Sequence, residues 1–378
     1  MKEILHINSY GLYNNLFDNL YKEQLKKGIE LKVYEFGAEG TQENAVFVPE
    51  ELKIKIIRDF NFKQWHRFFF HVKHKKVFSA IQYAIDDFSD YCVVHAHSLF
   101  SNGYIALRIK QKYQIPYVVA VRNTDVNDFF KKMLFLRPLG IKILKEAEAI
   151  VFLSDSYKDK VLSRYVPASI RRDIEKKSCV IPNGIDEFWF KNLNNSAQIL
   201  HENKIKLITA GAVNNNKNHS TVIEACKILI NLGYSVDYHI IGKVEDKELL
   251  EKLISNKFVR YSNPKPKEQL IDEFRDSNIF VMPSHTETFG LVYAEAISQG
   301  LPVLYTRGQG FDRQFPEGVV GFSVDDNNPN EIADRIRSII NDYEQLSQNC
   351  PRCSYKFKWE DIALSYIDLY KGMIKTED

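Results

Sequence analysis

Two carboxylates, Glu287 and Glu295, stand eight positions apart on either side of Phe289-Gly290-Leu291. The residues before them, Ile279–Met282, form a short apolar run that reads as a buried strand ending at Pro283-Ser284. A polar loop with His285 and Glu287 follows. Gly290 lets the backbone turn closely into a helix from about Leu291 to Gln299, which Gly300 and Pro302 end. The amino end of a helix offers unpaired N–H groups and a partial positive charge, which suits a diphosphate. Carboxylates beside such a site do not serve the anion. They serve as acceptors for hydroxyl groups on either side of it, one set on a sugar and one on a ribose. Either glutamate alone would read as an ordinary solvated charge; the combination with Gly290, Ala296, Gly300 and Pro302-Val303 is what points to a site.

Further residues with chemical potential follow other strand-like runs. Lys217 closes Thr209-Ala210-Gly211-Ala212-Val213-Asn214-Asn215-Asn216-Lys217, placed to meet phosphate. Arg122, Asn123 and Asp125 follow Tyr117–Val121. His95 and His97 end Cys92–Ala96 and are expected on alternate faces, His95 in the core and His97 towards the ligand. A metal centre is not expected, because no third ligand lies at a natural spacing from these histidines and there is no D-x-D for a divalent ion. Cys350 and Cys353 form a single C-x-x-C without the second pair that a zinc site needs.

These residues need a scaffold that brings strand ends together. Short apolar runs at Glu3–Ser9, Ile29–Phe36, Cys92–Ala96, Tyr117–Val121 and Ala149–Leu153 alternate with helical stretches such as Phe17–Lys27, Gly103–Tyr113 and Leu139–Ala147. That β-α-β alternation implies a parallel sheet covered on both faces. The pattern breaks at Pro182-Asn183-Gly184-Ile185-Asp186, and Phe188–Asn203 reads as a polar loop. A second alternation starts at Lys206–Ala210 and runs through Ser220–Leu232, Ser235–Ile241, Asp246–Ser255, Phe258–Tyr261, Lys267–Asp276 and Ile279–Met282. The fold class is therefore α/β with two doubly wound, Rossmann-like domains, residues 1–184 and 185–356. Residues 357–378 form an amphipathic helix packing back on the body. In such folds ligands bind at the carboxyl ends of the strands, here in a cleft that the two domains would face.

The segment around Glu287 and Glu295 resembles the E-x7-E region of family-4 retaining glycosyltransferases with the GT-B fold. The resemblance extends along nearly the whole chain, through Val93-Val94-His95-Ala96-His97-Ser98, Ile115-Pro116-Tyr117-Val118, Ile181-Pro182-Asn183-Gly184-Ile185-Asp186 and Gly321-Phe322. It implies that Glu287 contacts the donor sugar and Glu295 the ribose hydroxyls. Thr288, Phe289, Gly290 and Leu291 would hold the diphosphate, together with Gly211 and Lys217. It also implies an acceptor side formed by His97, Asn123, Gly11 and Asn14, with Asp125 near the reacting sugar. Two departures stand out. Ala212 replaces the family's phosphate-binding arginine, and Arg122-Asn123 replaces its histidine-glycine pair. The paired departures suggest that Arg122 serves as the second phosphate cation. The amino-terminal loop Asn8–Asn15 holds Gly11 alone where the family often has a glycine pair.

Composition sets the remaining bounds. The 378 residues are 44% hydrophobic and 26% charged, which excludes a disordered or fibrous chain. Net charge is +2, but residues 1–185 carry 29 Lys+Arg against 21 Asp+Glu, and residues 186–378 carry 22 against 28, so the halves are +8 and −6. A basic first half suits an anionic partner. Residues 60–78 mix aromatic side chains with Lys63, Arg67, Lys73, Lys75 and Lys76, and read either as a helix over the sheet or as contact with an anionic membrane. The lack of a leader pattern and five scattered cysteines point to the cytoplasm, with the inner face of the membrane as the site of any such contact. Nothing resembles a nucleic-acid module. The expected activity, by resemblance, is transfer of a hexosyl group from a UDP- or GDP-sugar to a glycan or lipid-linked glycan. The configuration would be retained and no cofactor needed, in cell-surface polysaccharide synthesis. A nucleotide-sugar epimerase and a catalytically silent nucleotide-sugar binder are the alternatives.

Overall fold

The computed structural model describes residues 3–10, 16–41, 52, 54–65, 69–194, 200 and 204–374. The chain forms two compact units, Met1–Leu153 with Lys158–Pro182 and Trp359–Asp378, and Asn183–Lys358 with Ser154–Tyr157.

Among the described residues, the first unit holds seven parallel strands: β1 Glu3–Asn8, β2 Leu31–Ala38, β3 Lys55–Phe62, β4 Tyr91–Ala96, β5 Tyr117–Ala120, β6 Ala149–Phe152 and β7 Ser178–Val180, in the order β3-β2-β1-β4-β5-β6-β7. The order reverses between β1 and β4, where the register pairs His6 with His95. Strands buried on both faces carry few polar residues, as Val93-Val94 and Tyr117-Val118-Val119-Ala120 do. The helix Trp359–Met373 belongs to this unit and buries Trp359, Ile362, Tyr366 and Tyr370 against a core containing Ile4, Tyr21, Val33, Val93 and Val151. At about 1.5–3 kcal/mol for each large apolar side chain removed from water, that face contributes substantially to the unit's stability. The Gln24 amide donates to Tyr370 Oη at 3.1 Å and fixes the helix's rotation.

Among its described residues, the second unit holds six parallel strands: β8 Lys204–Ala210, β9 Ser235–Ile241, β10 Val259–Ser262, β11 Ile279–Val281, β12 Val303–Thr306 and β13 Gly321–Val324, in the order β10-β9-β8-β11-β12-β13. Its switch point lies between β8 and β11.

Three stretches differ from the sequence reading. Residues 188–203 are not all loop. Asp186 Oδ1 accepts from the Phe188 N–H at 2.8 Å, capping the helix Glu187–Lys191, and Trp189 is buried. Residues 60–78 are not one helix: the strand β3 runs to Phe62, and a new helix, Phe70–Ala84, buries Phe70, His74, Val77 and Phe78. Lys73 turns inward, with Nζ 4.9 Å from the Phe62 ring centroid and 5.7 Å from that of Phe36. The edge strands β3 and β7 went unread because Lys55-Ile56-Ile57-Arg58-Asp59 and Ser178-Cys179-Val180 lack a long apolar run.

Candidate functional site

The loops leaving β8 and β11 flank the second unit's switch point, where open parallel sheets place ligands. The first loop delivers Lys217 and the second delivers Glu287, and Lys217 Nζ lies 2.6 Å from Glu287 Oε2. Both are largely shielded, at 19% and 13% side-chain exposure. Gly211 makes room for the lysine stem: a Cβ there would sit 3.4 Å from Lys217 Cε and 3.3 Å from Met282 Sδ.

Asn216 ties the two loops together. Its side chain donates to the Thr286 carbonyl at 2.9 Å and accepts from the Thr286 N–H at 3.1 Å, while its own carbonyl accepts from the His285 N–H at 2.9 Å. The Glu287 backbone is held from both ends. Its N–H donates to Gln309 Oε1 at 3.1 Å, and its carbonyl accepts from Tyr157 Oη at 2.9 Å and from the Gly310 N–H at 3.2 Å. Glu287 Oε1 accepts from the Thr288 N–H at 3.0 Å. Beside this loop, His285 Nδ1 lies 2.5 Å from Asp326 Oδ2.

The chain then enters the helix Leu291–Ser298 through Gly290, whose φ is +72°. A Cβ at Gly290 would lie 2.4 Å from the Tyr293 ring, so only glycine fits this entry. Phe289 is buried beside Phe311 and Phe357, which anchors the helix's first turn; the Tyr293 N–H donates to the Gly290 carbonyl at 3.0 Å, and the N–H groups of Leu291 and Val292 before it stay without intrahelical partners. Glu295 is one turn further in. Burial pushes its carboxyl up to about 7; a hydrogen bond from Trp189 works the other way, as does Lys267, and Asp186 adds to the rise. Ala212 brings no cation: it is half-buried, and its carbonyl lies 3.4 Å from His219 Nε2.

The first unit places its residues differently from the expectation. Asp125 is fully buried, and its carboxylate accepts from the N–H groups of Leu99 at 2.9 Å, Phe100 at 3.0 Å and Arg122 at 2.8 Å. Burial nevertheless raises its pKa to about 6, opposed by those hydrogen bonds. Asp125 thus organises the loop ends after β4 and β5. Arg122 is 6% exposed; its Nε donates to the His97 carbonyl at 3.1 Å, its guanidinium stacks over Phe17 and it also bonds Tyr366. The guanidinium is engaged within its own unit. Asn123 is half-buried and its side chain bonds Asn127. Gly11 and Asn14 lie outside the described residues.

The histidines require a correction. Residues two apart on a strand share a face, so His95 and His97 both point inward, and both are fully buried. The absence of a third histidine also has to be revised. His6, on β1 beside His95, completes a buried group in which one ring nitrogen from each residue lies within 4.8 Å of the others. Burial pushes His6 down to about 3 and holds His95 and His97 well below the usual range, with neighbouring imidazoles and Arg122 adding to the effect on the last two. Other residues that sequence reasoning missed are Asn216, Gln309, Tyr157 and Trp189. Only Trp189 had a local signal, the capping Asp186-Glu187 before it.

Two family models match the chain in succession: Glycosyltransferase Family 4 over residues 14–187 and Glycosyl transferases group 1 over residues 191–356. A D-inositol 3-phosphate glycosyltransferase of Corynebacterium urealyticum is 32% identical over 130 residues, which is 34% of this chain and 31% of that protein. The match therefore spans under a third of that relative's length. Among solved structures, the sucrose-phosphate synthase of Thermosynechococcus elongatus superimposes with a TM-score of 0.73 at 16% identity, covering 99% of each chain. HepE of Anabaena, solved in complex with UDP and glucose, gives 0.69 at 15% identity, covering 98% of this chain and 100% of that one. At such identities the superpositions establish the fold. With both models matched in order and two parallel-sheet units of the GT-B type, the chain belongs to the family-4, group 1 glycosyltransferases.

Proposed function

We propose that the second unit binds a nucleotide-sugar and that the protein transfers its hexosyl group, with retention, to a glycan or lipid-linked glycan. The observation that carries this reading is the pairing of Lys217 with Glu287 at the switch point, beside a helix amino end that Glu295 follows. The donor diphosphate would take Lys217 and the first-turn N–H groups of Leu291–Ser298, which stabilise the charge that grows on the leaving group. Glu287, released from Lys217, would accept from sugar hydroxyls, and Glu295 from ribose hydroxyls. That UDP and glucose occupy HepE of Anabaena supports the donor class. The leaving phosphate oxygen would take the acceptor's proton, so the transfer would need neither a divalent ion nor a dedicated base.

The role proposed for the product is in surface polysaccharide synthesis, at the cytoplasmic face of the membrane. No helix among the described residues is long and apolar enough to cross a bilayer. Contact from the surface would use exposed Trp65, Phe69 and Val72 with exposed Lys63, Lys75 and Lys76. Replacing Lys75 and Lys76 by Glu should abolish binding to anionic liposomes; equal binding by both proteins removes the membrane claim.

The donor claim is tested by thermal shift across UDP-, GDP- and ADP-sugars, followed by nucleotide release with and without glycan acceptors. A shift with one nucleotide class, and release only when acceptor is added, supports transfer. Isomerised donor without acceptor would indicate an epimerase, and a shift without turnover a silent binder.

A further inference from the structure

The donor reading gives Glu295 a role, and the residues that hold its carboxylate lie outside the strand–loop–helix passage that carries it. Residues 186–194 run as a strap against the helix Leu291–Ser298, tied down at both ends. At the start, Asp186 pairs with Lys267 Nζ at 2.9 Å and caps the helix Glu187–Lys191. At the finish, the Asn194 N–H donates to the Ser298 carbonyl at 3.2 Å, and its side-chain amide donates to the Gln299 carbonyl at 3.2 Å. Arg275 braces the stretch between: Nη2 donates to the Asn192 carbonyl at 2.7 Å and Nε to Gln299 Oε1 at 3.0 Å. A five-residue helix does not hold itself together, so these ties set its position. Inside the strap Trp189 is 2% exposed, with its ring 5.8 Å from that of Phe274. An indole has one donor and no acceptor, and a buried one needs a partner. The partner is the Glu295 side chain.

We infer that Trp189 is a positioning residue for donor binding: its indole N–H holds the Glu295 carboxylate towards the ribose hydroxyls, and the strap 186–194 fixes where that N–H stands. The inference rests on the donor reading given above. Glu295 sits in a helix whose Tyr293, Ala294, Ala296 and Ile297 are buried. Such surroundings draw a carboxylate towards its protonated form. Protonated, it turns one oxygen into a donor and no longer accepts from both ribose hydroxyls. A hydrogen bond to the charged form counters this, and Trp189 supplies it. A carboxylate offers about four acceptor positions, so one N–H leaves room for two hydroxyls. Among the described residues, the charged groups that bear on Glu295 are Asp186, which opposes ionisation, and Lys267, which favours it. These two pair with each other, so their effects largely offset. The helix Tyr343–Ser354, packed against the same helix, buries Leu346, Ser347 and Cys350 and adds no charge there. The indole N–H is thus the deciding contact.

The test compares the full chain with Trp189→Phe, which removes the N–H and keeps a ring against Phe274. Binding of UDP-, GDP- and ADP-glucose is measured by calorimetry from pH 6 to pH 9. The Glu295 carboxyl is followed without ligand by ¹³C NMR of labelled glutamate, assigned through Glu295→Gln. Its midpoint of about 7 should rise by about one pH unit in Trp189→Phe, a tenfold change in ionisation. Donor affinity relative to the unaltered chain should then fall about 5-fold at pH 7 and recover to within about 2-fold at pH 9. A loss of equal size at every pH makes Trp189 a packing residue and overturns the inference, as does an unmoved midpoint. If Trp189→Phe does not fold, Asp186→Asn decides, because asparagine still caps the helix. Its midpoint should fall, and an unmoved one overturns the strap's hold on Glu295. A midpoint that moves as expected in a chain that binds none of the three donors sinks the donor reading alone, so the two failures are distinguishable.

Discussion

Glu295→Gln should strengthen the second unit and weaken donor binding at the same time. The carboxyl has a folded pKa of about 7 against an ordinary value of 4.5, chiefly because burial penalises the charge. A raised acid is one whose proton the folded state keeps after the unfolded state has lost it. Folding is therefore favoured below the unfolded value, and the advantage drains away as pH rises from 4.5 to about 7. At about 1.4 kcal/mol per pH unit, the carboxylate costs about 3 kcal/mol by pH 8. Glutamine keeps the shape, can accept the Trp189 hydrogen bond, and carries no charge to desolvate. The variant should match the parent near pH 4 and below, and exceed it by about 3 kcal/mol at pH 8. For a unit of this size that is roughly 6–12 °C in Tm. Calorimetry at pH 5, 6, 7 and 8 checks it. Parallel curves for the two proteins, or a lower variant Tm at pH 8, would refute the reasoning. The donor should respond oppositely. A carboxylate accepts two ribose hydroxyls, whereas an amide oxygen replaces it poorly, so donor affinity should fall about 10- to 100-fold. In the unaltered protein donor affinity should rise as pH passes through 7, because only the ionised carboxylate accepts from both hydroxyls.

Glu287→Gln releases Lys217 from its 2.6 Å ion pair, so a nucleoside diphosphate without sugar should bind several-fold tighter by calorimetry while transfer falls by about 100-fold or more. Asp125→Ala leaves the buried N–H groups of Leu99, Phe100 and Arg122 without their acceptor, and should destabilise the first unit by about 3 kcal/mol or more in urea melts, with Asp125→Asn recovering part of it. Gly290→Ala meets both a positive φ and the Tyr293 ring, and should cost about 2–4 kcal/mol in chemical denaturation, with donor affinity falling as the helix entry shifts.

The second unit was legible because its signals are local. An apolar run, a polar loop, Gly290 and a closing Gly300 lie within a single strand–loop–helix passage, and that passage carries both glutamates. What stayed hidden was long-range. Gln309 reaches Glu287 across 22 positions and Asn216 reaches Thr286 across 70, and an asparagine or glutamine in a loop announces neither partner nor direction. Trp189 is a nearer miss. Asp186 marks a helix start, yet the three apolar residues Phe188, Trp189 and Phe190 open a polar stretch that reads as loop, and Trp189 is the donor that steadies Glu295.

In the first unit the sequence marks residues that follow strand ends but not the direction their side chains take. Arg122 and Asp125 follow a strand end, where exposed functional groups are expected, but both turn inward because the loop's own N–H groups and the His97 carbonyl need partners more than the solvent does. The histidines show the same limit in sharper form. His95 and His97 differ by two, so a strict period of two already places them on one face. His6 joins them only because β1 pairs with β4 in a register that sets it beside His95, 89 positions away in the chain, a fact of sheet order that no local pattern contains. Parallel sheets join strands distant in sequence at a shared switch point. The group that this brings together in the second unit was visible through its glycines, whereas the group in the first unit, built from buried imidazoles without a turn to mark them, became visible only once the strands were paired.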